Sequence, residues 1–358
     1  MEKICKGCGA KLQTERPADY GYVLAHLLEK EFVLCRRCHR ISHYGRDEVG
    51  PVTAEQSLRS IREGVRWADG VVLVVDLMDF EAGFPPELLD LVQNRDLLIA
   101  VNKMDLLPKQ TPPWEVERWV RRRLKSLGLP GVGLELISAL NGYGFPKLAD
   151  RLSGFGPRVL FAGVVNVGKS NVISRLLKMR IGGRRRDYKP TVSAYPGTTV
   201  EYSRWQCPNG LVLADSPGYV AGGRLSELVC PECGRQLAPD KPLAGKLQPI
   251  KPGELLAVFG LAAVECLKGD GLLLGYSAAA LKWRKAKQEQ VAQVLAPGHF
   301  HCAIEKWEQK EMSLAQFEDL VITGLGWVSA RKSAYRLRVH YPAGVRVLKR
   351  PNLIGPKK

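Results

Sequence analysis

The chain has 358 residues, 45% of them hydrophobic, and carries 53 Lys+Arg against 36 Asp+Glu for a formal net charge of +17. That length points to two or three domains, and an ordinary apolar share excludes a disordered chain. No run of about eighteen apolar residues is present, and "MEKICKGC" lacks the apolar stretch of a signal peptide, so a cytoplasmic protein without membrane attachment is expected.

The first feature along the chain is two C-x-x-C pairs, Cys5/Cys8 in "CKGC" and Cys35/Cys38 in "CRRC", with 26 residues between them. Four thiolates make closed tetrahedral zinc, a structural site. Two disulfides are the alternative, which a reducing compartment disfavours. His39 and His43 lie nearby, as substitute ligands or as surface and RNA contacts. A segment this short has little core of its own, so the ion is expected to supply its folding energy.

From about residue 50 helical and strand patterns alternate. "TAEQSLRSIREGVRWA" has helical spacing, with Thr53 as N-cap before Gln56. "GVVLVVD", "LLIAVNK", "LELISAL" and "RVLFAGV" read as strands, separated by the helices "PPWEVERWVRRRLKSLG", ending at Gly128, and "FPKLADRLS". "TTVEYSRWQCP" and "GLVLADS" flank a "PNG" turn, which makes an antiparallel hairpin. Six strands with crossover helices describe a doubly wound α/β sheet.

Motifs stand at the ends of these strands. "GVVNVGKS" (163–170) matches G-x-x-x-x-G-K-S between a strand and the helix "SNVISRLLKM". Gly163 and Gly168 allow backbone N–H groups to face phosphates, Lys169 reaches the β and γ phosphates, and Ser170 offers its hydroxyl to Mg²⁺; Asn166, Val167 and Asn171 complete that nucleotide-contacting stretch. In "DSPG", Asp215 is placed to hold Mg²⁺ and Gly218 to meet the γ-phosphate. Between the two, "PGTT" offers Thr199, with Thr198 second, as the switch threonine on Mg²⁺. "NKMD" precedes all of these. Asp105 there can accept from guanine N1–H and its N2 amine, a donor pair adenine lacks, while Asn102 and Lys103 brace the loop and cover the base. In "SAL", Ser138 and Ala139 are expected to offer backbone N–H to the guanine oxygen. Joining Gly218 notionally to "GVVLVVD" restores the order phosphate loop, switch threonine, DxxG, NKxD, SA, so the domain reads as circularly permuted.

The basic, Gly/Pro-rich stretch 180–198 fits a mobile switch loop, and its Arg184 to Arg186 are either RNA contacts or solvated. Residues 223–358 are expected to be mainly strands. "LKWRKAKQEQVAQVL" is the helical candidate, with Lys282, Arg284, Lys285 and Lys287 around Trp283, which stacks on RNA or sits in a core. "CPEC" (Cys230, Cys233) is a third pair without a partner pair. His299, His301 and Cys302 in "GHFHC" could complete a second zinc site, which stays outside the expected metal set, and Cys207, Cys266 and Cys302 fit ordinary buried thiols. After Asp319 there is no acidic residue, while Arg331, Lys332, Arg336, Arg338, Arg346, Lys349, Arg350, Lys357 and Lys358 follow. Such a tail favours a polyanionic partner, nucleic acid first.

The ordered set of motifs, with the Cys5/Cys8/Cys35/Cys38 module and "ITGLGWVS" near the end, resembles the YqeH-type family of circularly permuted GTPases over nearly the whole chain. The resemblance implies a zinc-binding module over 1–48, a circularly permuted Ras-like P-loop GTPase domain over 49–222, and a β-rich, RNA-binding-like domain over 223–358. It implies GTP hydrolysis, with Lys169, Asn166, Thr199 and Gly218 as the catalytic set, coupled to assembly of the 30S ribosomal subunit on its rRNA, with a monomer expected. Tyr219 stands where a water-orienting Gln is usual. GTPases with that substitution are similar to those that use K⁺ held by an Asn in the phosphate loop, and Asn166 occupies that position. A nucleotide-sensing, RNA-binding scaffold with little hydrolysis is the alternative. Because the DxxG segment runs straight into the C-terminal domain, nucleotide state could reorient that domain.

Overall fold

In the computed structural model the described residues are 3, 5, 11–15, 21–28, 33, 35, 53–179, 189–193, 202–243 and 245–355. They divide into two compact units, residues 1–76, 85–102 and 132–220, and residues 77–84, 103–131 and 221–358. Segments 77–84 and 103–131 thus group with the C-terminal part rather than with the strands that flank them in sequence. Among the described residues no helix is long and apolar enough to cross a membrane.

The first unit is a seven-stranded sheet with helices. Helix α1 (Ala54–Trp67) starts on the expected capping box: Thr53 Oγ1 accepts from Gln56 N at 3.1 Å and Gln56 Oε1 accepts from Thr53 N at 2.9 Å. Strand β1 (Gly70–Asp76) is buried at every residue, as a central strand covered on both faces must be. There follow α2 (Pro86–Val92), β2 (Asp96–Asn102), then, after α3 (Pro113–Ser126) of the other unit, β3 (Gly133–Leu136), α4 (Phe145–Leu152), β4 (Arg158–Ala162), α5 (Lys169–Lys178), β5 (Lys189–Ser193), β6 (Tyr202–Gln206) and β7 (Val212–Asp215). The sheet order is β3-β2-β1-β4-β7-β6-β5, with β1, β2, β3, β4 and β7 parallel and β6 antiparallel to both neighbours. The hairpin expected around "PNG" is β6–β7. Strand β5 falls inside the stretch expected to be a switch loop, because Lys189–Ser193 pair with Tyr202–Gln206. From β1 the chain lays down β2 and β3 on one side and returns to place β4 and β7 on the other. The order therefore reverses between β1 and β4, where an open α/β sheet makes its ligand crevice.

The second unit is β-rich. Short helices α6 (Leu225–Leu228), α7 (Pro231–Leu237) and α8 (Val291–Leu295) accompany β8 (Lys246–Ile250), β9 (Glu254–Val258), β10 (Ala262–Lys268), β11 (Gly271–Ser277), β12 (Arg284–Lys287), β13 (Trp307–Leu314), β14 (Glu318–Ile322), β15 (Gly326–Ala330), β16 (Tyr335–Pro342) and β17 (Val347–Pro351). They form two antiparallel five-stranded sheets, β12-β9-β10-β16-β13 and β17-β14-β15-β11-β8. Leu256, Val264 and Leu337 of the first and Leu273, Leu320 and Val328 of the second belong to one buried cluster. The expected helix "LKWRKAKQEQVAQVL" is not one helix. Its first part is β12, paired to β9 with Lys285 bound to Glu254 at 2.7 Å, and only Val291–Leu295 is helical. Trp283 is buried against Gly275, whose added Cβ would lie 2.4 Å from the indole, and it donates to Tyr276 O at 3.3 Å. It is a core residue, which rules it out as a stacking platform; Lys282, Arg284, Lys285 and Lys287 are exposed.

One buried cation organises this unit. Arg350 is fully enclosed, with Nη1 2.7 Å from Glu81 Oε2, Nε 3.4 Å from Asp319 Oδ2, and its guanidinium 5.3 Å from the Trp119 ring and 4.9 Å from the Trp327 ring. Asp319 also accepts from Ser329 Oγ, Asn352 Nδ2 and Leu353 N. Burial pushes its carboxyl above the usual range, against the opposing pull of Arg350. The guanidinium joins segment 77–84, through Glu81, and α3, through Trp119, to strands β14, β15 and β17. Arg350→Met takes the shared cation from two buried carboxylates, leaving Glu81 with Arg123 and Asp319 with neutral donors, and is expected to cost about 3–5 kcal/mol in denaturant unfolding; an effect below about 1 kcal/mol contradicts this role.

Candidate nucleotide site

The loop between β4 and α5 is shaped by backbone that tolerates few side chains. Gly163 has φ 150°, and a Cβ there would lie 2.4 Å from Val74 O. Gly168 has φ 92°, and a Cβ there would lie 2.6 Å from Asn102 Nδ2. Asn166 holds φ 66°, a left-handed conformation that Asn adopts more readily than most residues. Lys169 is only 7% exposed, and its ammonium donates to Gly163 O at 3.3 Å and Val164 O at 3.2 Å, inside the curl of the loop. Val167 is buried, while Asn166 and Asn171 are exposed.

Segment 215–220 closes one side. Ser170 Oγ donates to Asp215 Oδ2 at 2.5 Å, so the end of β7 and the start of α5 meet through the two side chains expected on Mg²⁺. Tyr219 N donates to Gly163 O at 3.1 Å and Val165 N donates to Tyr219 O at 3.0 Å. A Cβ on Gly218 would lie 2.8 Å from Val165 Cγ1 and 2.9 Å from Val165 Cα, so only glycine lets the two loops approach this closely. The Tyr219 side chain is buried.

Asn102, at the end of β2, ties the remaining loops together. Its Nδ2 donates to Val167 O at 2.9 Å and its Oδ1 accepts from Ala139 N at 3.0 Å. One amide thereby fastens the glycine loop after β4 to the "SAL" loop after β3. Ser138 is fully buried, with its N–H donated to Tyr143 O at 3.0 Å and its Oγ accepting from Asn141 N at 3.2 Å. The backbone N–H groups of Ser138 and Ala139 are therefore both engaged within the fold, a point sequence reading missed. Arg175 of α5 supports the same loop by donating to Leu140 O at 3.2 Å.

Lys103 and Asp105 fall in the other unit, immediately after Asn102 in the chain. Lys103 has φ 72° and precedes a 3₁₀ turn, Met104–Leu106, that contains Asp105. Thr198 and Thr199 lie outside the described residues, as do Cys8 and Cys38. Cys5 and Cys35 are described: both are buried, and Cys35 N donates to Cys5 Sγ at 3.1 Å. In the second unit Cys302, read either as a partner of the Cys230/Cys233 pair or as an ordinary buried thiol, is half-buried beside Cys230 and Cys233. Cys207 and Cys266 are buried as expected, and burial pushes both thiols up to about 11.

Residues 158–232 match the family model described as "50S ribosome-binding GTPase". The chain is 30% identical to YqeH of Bacillus subtilis over 371 residues, covering 99% of this chain and all of that protein. It is 26% identical to the NO-associated protein 1, chloroplastic/mitochondrial, of Arabidopsis thaliana, over 91% of this chain and 69% of that one. It is 27% identical to ribosome biogenesis GTPase A of Thermotoga maritima, over 49% of this chain and 60% of that protein. With the P-loop, its partner aspartate and the Asn102 clamp in place at the strand ends, full-length similarity at this level makes the chain a member of the YqeH family.

Proposed function

We propose that the chain binds and hydrolyses GTP, and that the sheet of its first unit is the circularly permuted form of a GTPase domain. The observation that carries the reading is the Ser170–Asp215 pair beside a lysine curled into a glycine loop at the sheet's reversal point. The residues fit a Mg²⁺-nucleotide. Gly163 and Gly168 leave the backbone bare where added Cβ atoms would collide, Lys169 supplies a positive charge inside the loop, and Ser170 and Asp215 offer hard oxygen donors. Mg²⁺ neutralises phosphate charge when bound. Thr199, with Thr198 beside it, is the expected further oxygen donor, and Gly218 brings its N–H toward the γ-phosphate. Asp105 reads the guanine edge, Lys103 covers the base, and Asn102 holds the loops that carry both ends of the nucleotide. Ser138 and Ala139, on the loop that Asn102 holds, are the residues assigned to the guanine oxygen. The permutation reading is supported by the strand order: closing the chain from β7 to β1 gives the conventional succession of motifs without changing a neighbour in the sheet.

Tyr219 is buried and its backbone is tied to the loop, so its side chain does not orient a water. Asn166, exposed in left-handed backbone, is the loop residue we assign to a K⁺ beside the phosphates. Cys5, Cys8, Cys35 and Cys38 are assigned to structural zinc. The buried Cys5 and Cys35, joined by an N–H···S bond, support this, since such bonds stabilise thiolate ligands.

The wider role proposed is ribosome biogenesis, acting on the 30S subunit through rRNA in the cytoplasm as a monomer. It rests on the net charge of +17 and on relatives named ribosome biogenesis GTPase. A nucleotide-sensing RNA-binding scaffold that hydrolyses little GTP is the second reading, favoured by the buried Tyr219. Co-sedimentation with purified 30S and 50S subunits tests the wider role: binding to 30S, strongest with a non-hydrolysable GTP analogue, is expected, and binding to neither subunit overturns it.

For the site itself, Asp105→Asn is expected to exchange GTP for xanthosine triphosphate, because the amide donates where the base now carries an oxygen. Unchanged GTP preference over ATP and xanthosine triphosphate in that variant contradicts the assignment. Lys169→Ala is expected to lower GTP affinity by at least tenfold with the fold intact by circular dichroism. Multiple-turnover hydrolysis is expected to run faster in K⁺ than in Na⁺, with or without ribosomal subunits; equal rates remove Asn166 from that role.

A further inference from the structure

The second unit contains a cluster that the nucleotide site does not use. The Sγ atoms of Cys230, Cys233 and Cys302 lie within 4.8 Å of one another. Cys230 and Cys233 form a C-x-x-C turn at the start of α7, and Cys302 comes from the irregular stretch between α8 and β13. Cys233 is fully buried in the core cluster, and the other two are half-buried against it.

The backbone around the sulfurs is arranged as in a thiolate site. Cys230 N donates to Cys302 Sγ at 3.2 Å. Donors of this kind compensate charge on thiolates bound to a cation and orient them. A tetrahedral ion with bonds of about 2.3 Å separates its sulfurs by roughly 3.8 Å, so the cluster needs only small side-chain rotations to close on one. Three thiols cannot be satisfied by one disulfide, and none of the other described cysteines lies among them.

We propose that Cys230, Cys233 and Cys302 bind a structural zinc ion, separate from the one assigned to the N-terminal cysteines. Solvent or the exposed imidazole of His301, next in chain to Cys302, supplies the fourth donor. The need for it is visible in the local structure. Helix α7 has 7 residues and α6 has 4, too short to persist without tertiary support. The stretch from Ala296 to Lys306 has no strand or helix of its own. An ion joining the two fixes the segment that follows Val220 in the chain onto the core of the second unit.

The test is the zinc content of the full-length chain, purified under reducing conditions and measured by inductively coupled plasma mass spectrometry. The double variant Cys230→Ser/Cys302→Ser is expected to hold one zinc equivalent fewer per chain than the parent, whatever the N-terminal cysteines hold. The unaltered chain supplies an independent reading by thiol alkylation mapped by mass spectrometry. Cys230 and Cys302 are expected to be protected with zinc present and labelled once a chelator removes it, with Cys207 and Cys266 unchanged. Equal zinc content in parent and variant, or alkylation of Cys230 and Cys302 that ignores chelation, overturns the proposal.

Discussion

The first unit depends on one carboxamide. Asn102 stands at the end of β2 and spends its donor on the glycine loop and its acceptor on the "SAL" loop, so three strand ends that are distant in sequence become one rigid rim. Both partners are backbone groups, one of them buried with Val167, which makes the bonds hard to exchange for water. A buried donor or acceptor left without its partner costs about 1–3 kcal/mol, and Asn102 satisfies two. Gly168 is glycine partly for the same reason: a methyl there would meet the amide nitrogen. On the proposed reading, the residue that begins the guanine-reading motif also sets the position of the phosphate loop, which explains why the chain can be cut elsewhere without loss of the site. Covalent order is unimportant when a side chain holds the strand ends together.

The second unit solves its assembly problem with polar centres inside apolar packing. Arg350 is shared by Glu81 and Asp319 and lies between two tryptophans, an arrangement in which the aromatic faces and the carboxylates together replace water around the guanidinium. The cysteine cluster does the same for two weakly structured segments. Both devices connect pieces of chain that regular strands cannot reach.

Much of this was legible in the sequence, for identifiable reasons. Strands such as Gly70–Asp76 are β-branched and apolar throughout, and the Thr53–Gln56 box, the turn at "PNG" and the glycine loop each carry a local signature that no tertiary contact overrides. What failed did so where tertiary pairing decides. The run from Leu281 to Leu295 has helix-forming residues, yet Trp283 finds its place against Gly275, and the residues after it then pair with β9. Cys302 was one of three residues of "GHFHC" able to complete the Cys230/Cys233 pair, and only the fold selects it, since its partners lie about seventy residues away in the chain. The engagement of the Ser138 and Ala139 N–H groups was equally invisible, because it follows from the position of Asn102 across the sheet. Arg350 looked like one more basic residue of a polyanion-binding tail and is in fact wholly buried.

The most direct test of this account is GDP affinity, by calorimetry, of the parent chain and of Asn102→Ala, with folding followed by circular dichroism. A folded variant whose affinity falls by two orders of magnitude or more is the predicted result, since two loops would lose their common anchor. A folded variant that binds GDP as the parent does would contradict it, and would mean that the strand ends hold the site without the amide.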